Sequence, residues 1–184
     1  MKILIVVDMQ NDFVTGVLGT AEAKAIVPNV IQKVEDAVKN GDTIIFTRDT
    51  HFDNYMSTNE GKKLPVKHCI MGTYGWDIIE PLMKVYTTYN NSTIIDKLTF
   101  GKYELPELLK EGYTNYLKAE ENLEIELIGV CTDICVVSNA LLLKSAFYNN
   151  ADISVDATCC AGVTPETHEA ALKTMEMCQI DVKR

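Results

Sequence analysis

Residues 3–8 read Ile3-Leu4-Ile5-Val6-Val7-Asp8, an unbroken apolar run rich in β-branched residues and closed by an acid. A short run with no polar alternation is the pattern of a strand buried on both faces, as in parallel sheets covered by helices. The pattern returns at Thr43 to Thr47, Thr93 to Lys97, Glu124 to Gly129 and Ile153 to Asp156, with a shorter edge candidate at Gln179 to Val182. Helical patterns fill the gaps. One is predicted from Val27 to Lys39, with Pro28 in its first turn and Gly41 just past its end. Others are predicted at Asp77 to Lys84, Leu105 to Glu111, Asp133 to Tyr148 and Pro165 to Met177. Strands alternating with helices make the fold class α/β.

The 184 residues carry 17 Lys plus Arg against 26 Asp plus Glu, a net charge of −9, and are 47% hydrophobic. At roughly 150 residues per domain this predicts one domain over 1–184 with a full core of its own. Acidity spread along the chain repels duplex nucleic acid and anionic membrane surfaces, which leaves small molecules as partners. No apolar run reaches the roughly 18 residues of a membrane span, and Asp8 stops the first run at once, so the expected location is the cytoplasm. The six cysteines have no framework spacing and are expected to be free, most of them buried; Cys159-Cys160 reads as two thiols rather than a vicinal disulfide.

In an open parallel sheet ligands bind beyond the carboxyl ends of the strands, so the residues at which strands stop are the candidates. Asp8 and Lys97 stand at two such ends. Buried acid and base can simply satisfy each other. Cys135 adds chemistry: it follows the strand ending near Gly129 by the turn Val130-Cys131-Thr132-Asp133-Ile134-Cys135 and opens the next helix. With Thr132 or Asp133 as cap, the helix start and Lys97 are expected to favour thiolate, and the turn offers N–H donors to an oxyanion. Those are the parts for attack on an acyl carbon, with Asp8 as the base because no histidine is close in sequence.

The stretch from Thr50 to Gly75 has little periodicity and holds His51 and His68. In Asp49-Thr50-His51 a spacing of two puts both outer side chains on one side of an extended backbone. With Glu60 and His68 they form a mixed nitrogen and oxygen set suited to one divalent ion, Zn²⁺ first and Mn²⁺ or Fe²⁺ as alternatives. Phosphate-loop, dinucleotide, serine-esterase, zincin and C-x-x-C motifs are absent, and His168-Glu169 reads as helix surface.

Asp8-Met9-Gln10-Asn11-Asp12-Phe13, Lys97 at a strand end, and Gly129-Val130-Cys131-Thr132-Asp133-Ile134-Cys135-Val136 resemble the isochorismatase-like cysteine hydrolases, and within them the nicotinamidases. The resemblance spans nearly the whole chain. It implies a three-layer, doubly wound fold with a six-stranded, mostly parallel sheet, and an Asp8, Lys97, Cys135 catalytic triad. It further implies a cis peptide between Val130 and Cys131, with the N–H groups of Cys131 and Cys135 forming the oxyanion hole. The metal site it implies comprises Asp49, His51 and His68; the further histidine that many members carry is missing from Phe52 to Ser57, and Glu60 resembles the glutamate that some members use instead. Phe13, Ile134 and either Phe100 or Tyr103 would wall the substrate pocket. The implied reaction is hydrolysis of a small amide, nicotinamide first; an N-carbamoyl or maleamate-like amide is the alternative substrate, and a thiol redox sensor the non-enzymatic alternative. Homo-oligomers are a further expectation, although the apolar helix at Val136 to Phe147 would serve a core as well as an interface.

Overall fold

A computed structural model describes residues 1–112 and 123–184. The first strand, β1 (Lys2–Val7), shows why the opening run lacks polar alternation: Ile3, Ile5 and Val7 enter one core, Leu4 and Val6 the other. Side chains alternate across a strand, so one sandwiched between two helical layers is apolar at every position. A single turn, α1 (Asn11–Val14), leads into the long α2 (Ala21–Asn40), β2 (Thr43–Asp49), the short α3 (Asn59–Lys63) and α4 (Glu80–Thr88). Then follow β3 (Ser92–Lys97), α5 (Leu105–Gly112), β4 (Glu124–Val130), α6 (Val137–Phe147), β5 (Asp152–Ala161), α7 (Pro165–Met177) and β6 (Asp181–Lys183).

The strands form one six-stranded sheet in the order β3-β2-β1-β4-β5-β6, every pair parallel. α2 lays Ala23, Ile26, Val30, Val34 and Ala37 on one face, joined by Leu82 of α4. On the other face stand Leu105 and Leu109 of α5, Ala140, Leu143 and Phe147 of α6, and Leu172 and Met175 of α7. Each fully buried side chain of this size contributes about 1.5–3 kcal/mol. The apolar stripe of α6 is therefore committed to the core. The chain winds outward through β2 and β3, then returns to the other side of β1 to lay down β4. Ligand crevices of doubly wound sheets open where the winding reverses, past the carboxyl ends of the two flanking strands. Here those strands are β1 and β4, which are followed by Asp8 and by Cys131.

Several boundaries differ from the sequence expectation. α2 starts at Ala21, where the Thr20 hydroxyl accepts from Ala23 N–H at 3.0 Å, and Pro28 lies inside it. The stripe from Ala23 onward outweighs the bond that proline removes. Gly41 does end this helix, with φ +76. α4 begins three residues later than predicted because the chain stays extended through Ile78, which bridges to Gln10. β5 continues to Ala161, so Cys159 and Cys160 point to opposite faces and lie in different cores as free thiols. The helix predicted from Asp133 is divided into a one-turn π segment, Thr132–Val136, followed by α6. No helix among the described residues is long and apolar enough to cross a membrane.

Candidate active site and metal centre

Beyond β1 the chain turns sharply at Asp8, a left-handed residue with φ +50 and no exposed surface. Its Oδ1 accepts from the Thr47 hydroxyl at 2.7 Å. Lys97 ends β3 beside Asp49 of β2 and is fully buried. Its Nζ reaches Asp8 Oδ2 at 2.6 Å, Asp49 Oδ1 at 3.3 Å and Cys135 Sγ at 3.5 Å. The ammonium donates to Asp49 and to the Cys135 sulfur, and its contact with Asp8 is a close ion pair. Burial works against the charge on Lys97, but Asp8, the Cys135 sulfur and Asp49 outweigh it and hold Lys97 well above its ordinary value.

Cys135 lies in the π turn after β4, which follows a cis peptide between Val130 and Cys131. Gly129 (φ +114) permits the close approach of β4 to β1 at this point, since a Cβ on it would sit 2.1 Å from the Val7 carbonyl oxygen. The Cys131 carbonyl accepts from Ile134 N–H at 3.1 Å and Val136 N–H at 3.0 Å. Neither Thr132 nor Asp133 caps the following helix as predicted: Thr132 Oγ1 lies 2.8 Å from His168 Nδ1, and the Asp133 carboxylate accepts from Val163 N–H. The expected thiolate is also corrected. Burial pushes the Cys135 thiol well above its ordinary value, over the opposing pull of Lys97, with Asp8 and Asp49 adding to the rise. Burial likewise raises Asp8. A neutral thiol beside a carboxylate that has become a stronger base is an arrangement for proton transfer during attack, not for a standing thiolate.

The second group meets at the same edge. Asp49, His51, Glu60 and His68 each direct one ligand atom into a space where all lie within 4.8 Å of one another. His51 Nε2 stands 2.9 Å from Asp49 Oδ2 and 3.6 Å from Glu60 Oε1; His68 Nε2 stands 3.6 and 3.9 Å from the same two oxygens. The Val66 carbonyl lies 2.8 Å from His68 Nδ1, which places the proton there and leaves Nε2 with its lone pair toward the cluster. His51 Nε2 is buried without a directed hydrogen bond. Two imidazoles and two carboxylates converging on one space, with His51 Nε2 lacking a directed hydrogen bond, fit a divalent cation. Burial would raise Asp49, but His51, His68 and Lys97 outweigh it and hold its carboxyl far below the usual range.

Of the pocket residues, Phe13 is half-buried with its ring 5.5 Å from that of His68, and Ile134 is half-buried in the π turn. The structure does not bring Tyr103 to the cluster: it is 79% exposed, and Phe100 is 46% exposed. Sequence reasoning missed four side chains that hold the site. Gln10 pairs with both backbone groups of Asp49, at 2.7 and 2.9 Å, and Asp12 accepts from Cys69 N–H beside His68. Tyr55 is fully buried, with its ring 4.6 Å from His51 and 5.0 Å from His68. Asn139 donates to the Cys135 carbonyl at 2.8 Å and accepts from Lys102 N–H at 2.9 Å. The available signal was spacing alone: Gln10 and Asp12 follow Asp8 by two and four residues, Tyr55 follows His51 by four, and Asn139 stands one helical turn past the thiol.

Comparison with known proteins agrees with this geometry. The isochorismatase domain model matches residues 2–182. A nicotinamidase from Bacillus subtilis superposes with a TM-score of 0.81 at 26% identity, covering 100% of this chain and 99% of that one. The pyrazinamidase of Pyrococcus horikoshii in complex with zinc gives 0.80 at 25% identity, covering 100% and 98%. A probable inactive nicotinamidase of Arabidopsis thaliana is 30% identical over 98% of this chain and 89% of its own length. With the family model spanning nearly every residue, the chain belongs to the isochorismatase family, whose nicotinamidase members are hydrolases acting on amides.

Proposed function

We propose that this protein hydrolyses a small amide through a Cys135 thioester, with nicotinamide as the substrate. The observation that carries the reading is the position of Lys97 Nζ, which contacts Asp8, Cys135 and Asp49 at once and so joins the thiol chemistry to the metal candidates. Asp8 takes the thiol proton as sulfur attacks the carboxamide carbon, and Lys97 stays charged to hold both anions in register. The N–H groups of Cys131 and Cys135 receive the oxyanion. Asp8 returns its proton to the leaving nitrogen and ammonia departs; Asp8 then deprotonates the water that attacks the thioester carbon, the C–S bond breaks to release the acid, and the proton passes from Asp8 back to the Cys135 sulfur. Asp49, His51, Glu60 and His68 would hold one divalent ion, zinc by donor type, which supplies a Lewis-acidic point for a pyridine nitrogen. Phe13 and Ile134 line the approach.

The test is ammonia release from nicotinamide, pyrazinamide and aliphatic amides, with and without chelator. Nicotinamide turnover that chelator diminishes, and its loss in Cys135→Ala with the fold intact, is the expected result. Full activity in Cys135→Ala rejects the nucleophile. Aliphatic amides turning over fastest regardless of chelator would move the substrate to the N-carbamoyl or maleamate-like class.

A further inference from the structure

His168 is not the surface residue its sequence position suggests. Its side chain is 17% exposed, and its Nδ1 lies 2.8 Å from the hydroxyl of Thr132, which is itself fully buried. α7 comes this close because Gly162 lacks a side chain: a Cβ there would stand 2.9 Å from both the Cβ and the N of His168. Thr164 caps the helix and Pro165 starts it, so the position of His168 is fixed from its own element as well. One residue further along the turn, both oxygens of Asp133 accept from Val163 N–H at 3.2 and 3.1 Å. The first turn of α7 and the connection before it therefore grip Thr132 and Asp133, the two residues between Cys131 and Ile134. Burial outweighs the pull of Glu169 and Asp133 and lowers His168 below its ordinary value, which favours a neutral ring with one donor and one acceptor nitrogen.

Oxyanion stabilisation depends on where N–H groups point, and losing one well-aimed donor costs roughly 10²- to 10³-fold in rate. The turn holding these donors is a single π turn without a side-chain cap; Asn139 holds its Cys135 end, and at its Thr132 end the side-chain tie to another element is His168. We propose that His168 is a positioning residue for amide hydrolysis, its bond to Thr132 setting the aim of the Cys131 and Cys135 N–H groups. This rests on the oxyanion assignment made above. A purely structural tie between α7 and the turn would alter stability and leave the kinetic split untouched.

Four variants test it. His168→Leu removes the polar ring and Thr132→Val removes the hydroxyl at nearly constant volume. His168→Asn keeps a polar atom at the place of Nδ1, whereas His168→Gln carries it to the place of Nε2. The first two should each lower kcat about 10- to 100-fold with KM within about twofold, and together cost no more than the worse single change. Asn should restore most of the rate and Gln should not. Unchanged kcat in folded His168→Leu, additive losses, or equal rescue by Gln would overturn the proposal, and if His168→Leu does not fold the Asn and Gln pair decides. A second probe needs no turnover. Pyridine-3-carbaldehyde accepts the Cys135 sulfur at its carbonyl carbon as the thiol proton passes to oxygen, and the resulting hemithioacetal protects Cys135 from iodoacetamide. Wild-type protection that weakens in Thr132→Val, without ammonia release from any amide, rejects the amidase reading and keeps only the part of this inference that concerns the aim of the two N–H groups. Protection as strong in Thr132→Val as in wild type rejects this inference whatever the amide assay shows, and absence of both protection and turnover in wild type rejects both.

Discussion

The sheet buries two clusters of charge, one toward each end of its central strands, and they are balanced in opposite directions. At the carboxyl ends a single ammonium, Lys97, faces Asp8 and Asp49. Toward the amino ends Glu126, 1% exposed, meets Lys2 at 2.9 Å, Lys183 at 2.7 Å and Lys33 at 3.6 Å, and Lys33 also meets Asp156 at 2.5 Å. Burial raises both Asp8 and Glu126. At Glu126 the lysines win and the carboxyl is held below its ordinary value; at Asp8 they are too few and it stays raised. Deeper burial, the Asp49 carboxylate alongside and the smaller number of cations within reach together keep Asp8 raised. One end of the sheet is electrostatically complete, and the other is left with surplus carboxylate, a stronger base and room for a divalent cation.

The harshest way to test that contrast is Lys97→Met, which keeps the buried stem and removes the one ammonium that, among the described residues, contacts Asp8, Asp49 and Cys135. It should cost at least about 10³-fold in kcat/KM, in the upper range for a positioned charge acting in proton transfer. It should also destabilise the fold, because Asp8 and Asp49 then face each other uncompensated. Activity within tenfold of wild type would mean that Lys97 is only a structural partner.

The two buried carboxylates should then respond oppositely to neutralisation. Glu126→Gln leaves three lysines around a neutral amide and should lose about 1–3 kcal/mol in urea unfolding, with kcat unchanged. Asp8→Asn removes one of two acids around Lys97. Its amide can present oxygen to Lys97 and N–H to Thr47 Oγ1, so chemistry should disappear while stability holds or rises by about 1 kcal/mol. If both variants lose stability equally, the electrostatic contrast is wrong and each carboxylate is simply a structural partner.

The sequence made one of these clusters visible and hid the other. Asp8 and Lys97 stand out because each terminates an apolar run, and Asp49 and His51 because an extended segment repeats every two residues; the fold class followed from the same runs. Glu126 sits inside a run read as a buried strand, and its lysines arrive from β1, α2 and β6, so no local pattern announces the group. His168 was hidden for a similar reason, its partner lying 36 residues earlier on another element. The thiol's protonation was misjudged because sequence shows which charges are available but not how completely water is excluded. Tyr103, with Phe100 as the alternative, was expected opposite Phe13 from the family resemblance, and the path of its loop leaves its side chain in solvent.

The smallest effect is the most diagnostic, and it is read from pH. Glu126 has a folded value below its unfolded value, near 4.3. Its contribution is therefore complete above about pH 4.3 and is lost as pH falls from there through the folded value. Asp8 has a folded value above its unfolded one, near 3.9, so its ionisation costs stability at neutral pH, and that cost is relieved as pH falls through the raised value. Unfolding free energies measured in chelator for wild type, Glu126→Gln and Asp8→Asn should thus show two gaps of opposite sign at neutral pH. The Asp8 gap narrows as pH falls through its raised value and is nearly gone by about pH 3.9; the Glu126 gap is full above about pH 4.3 and is lost below it. Gaps of the same sign would mean that the two ends of the sheet hold their carboxylates alike, and the surplus of negative charge assigned to the thiol end would lose its support.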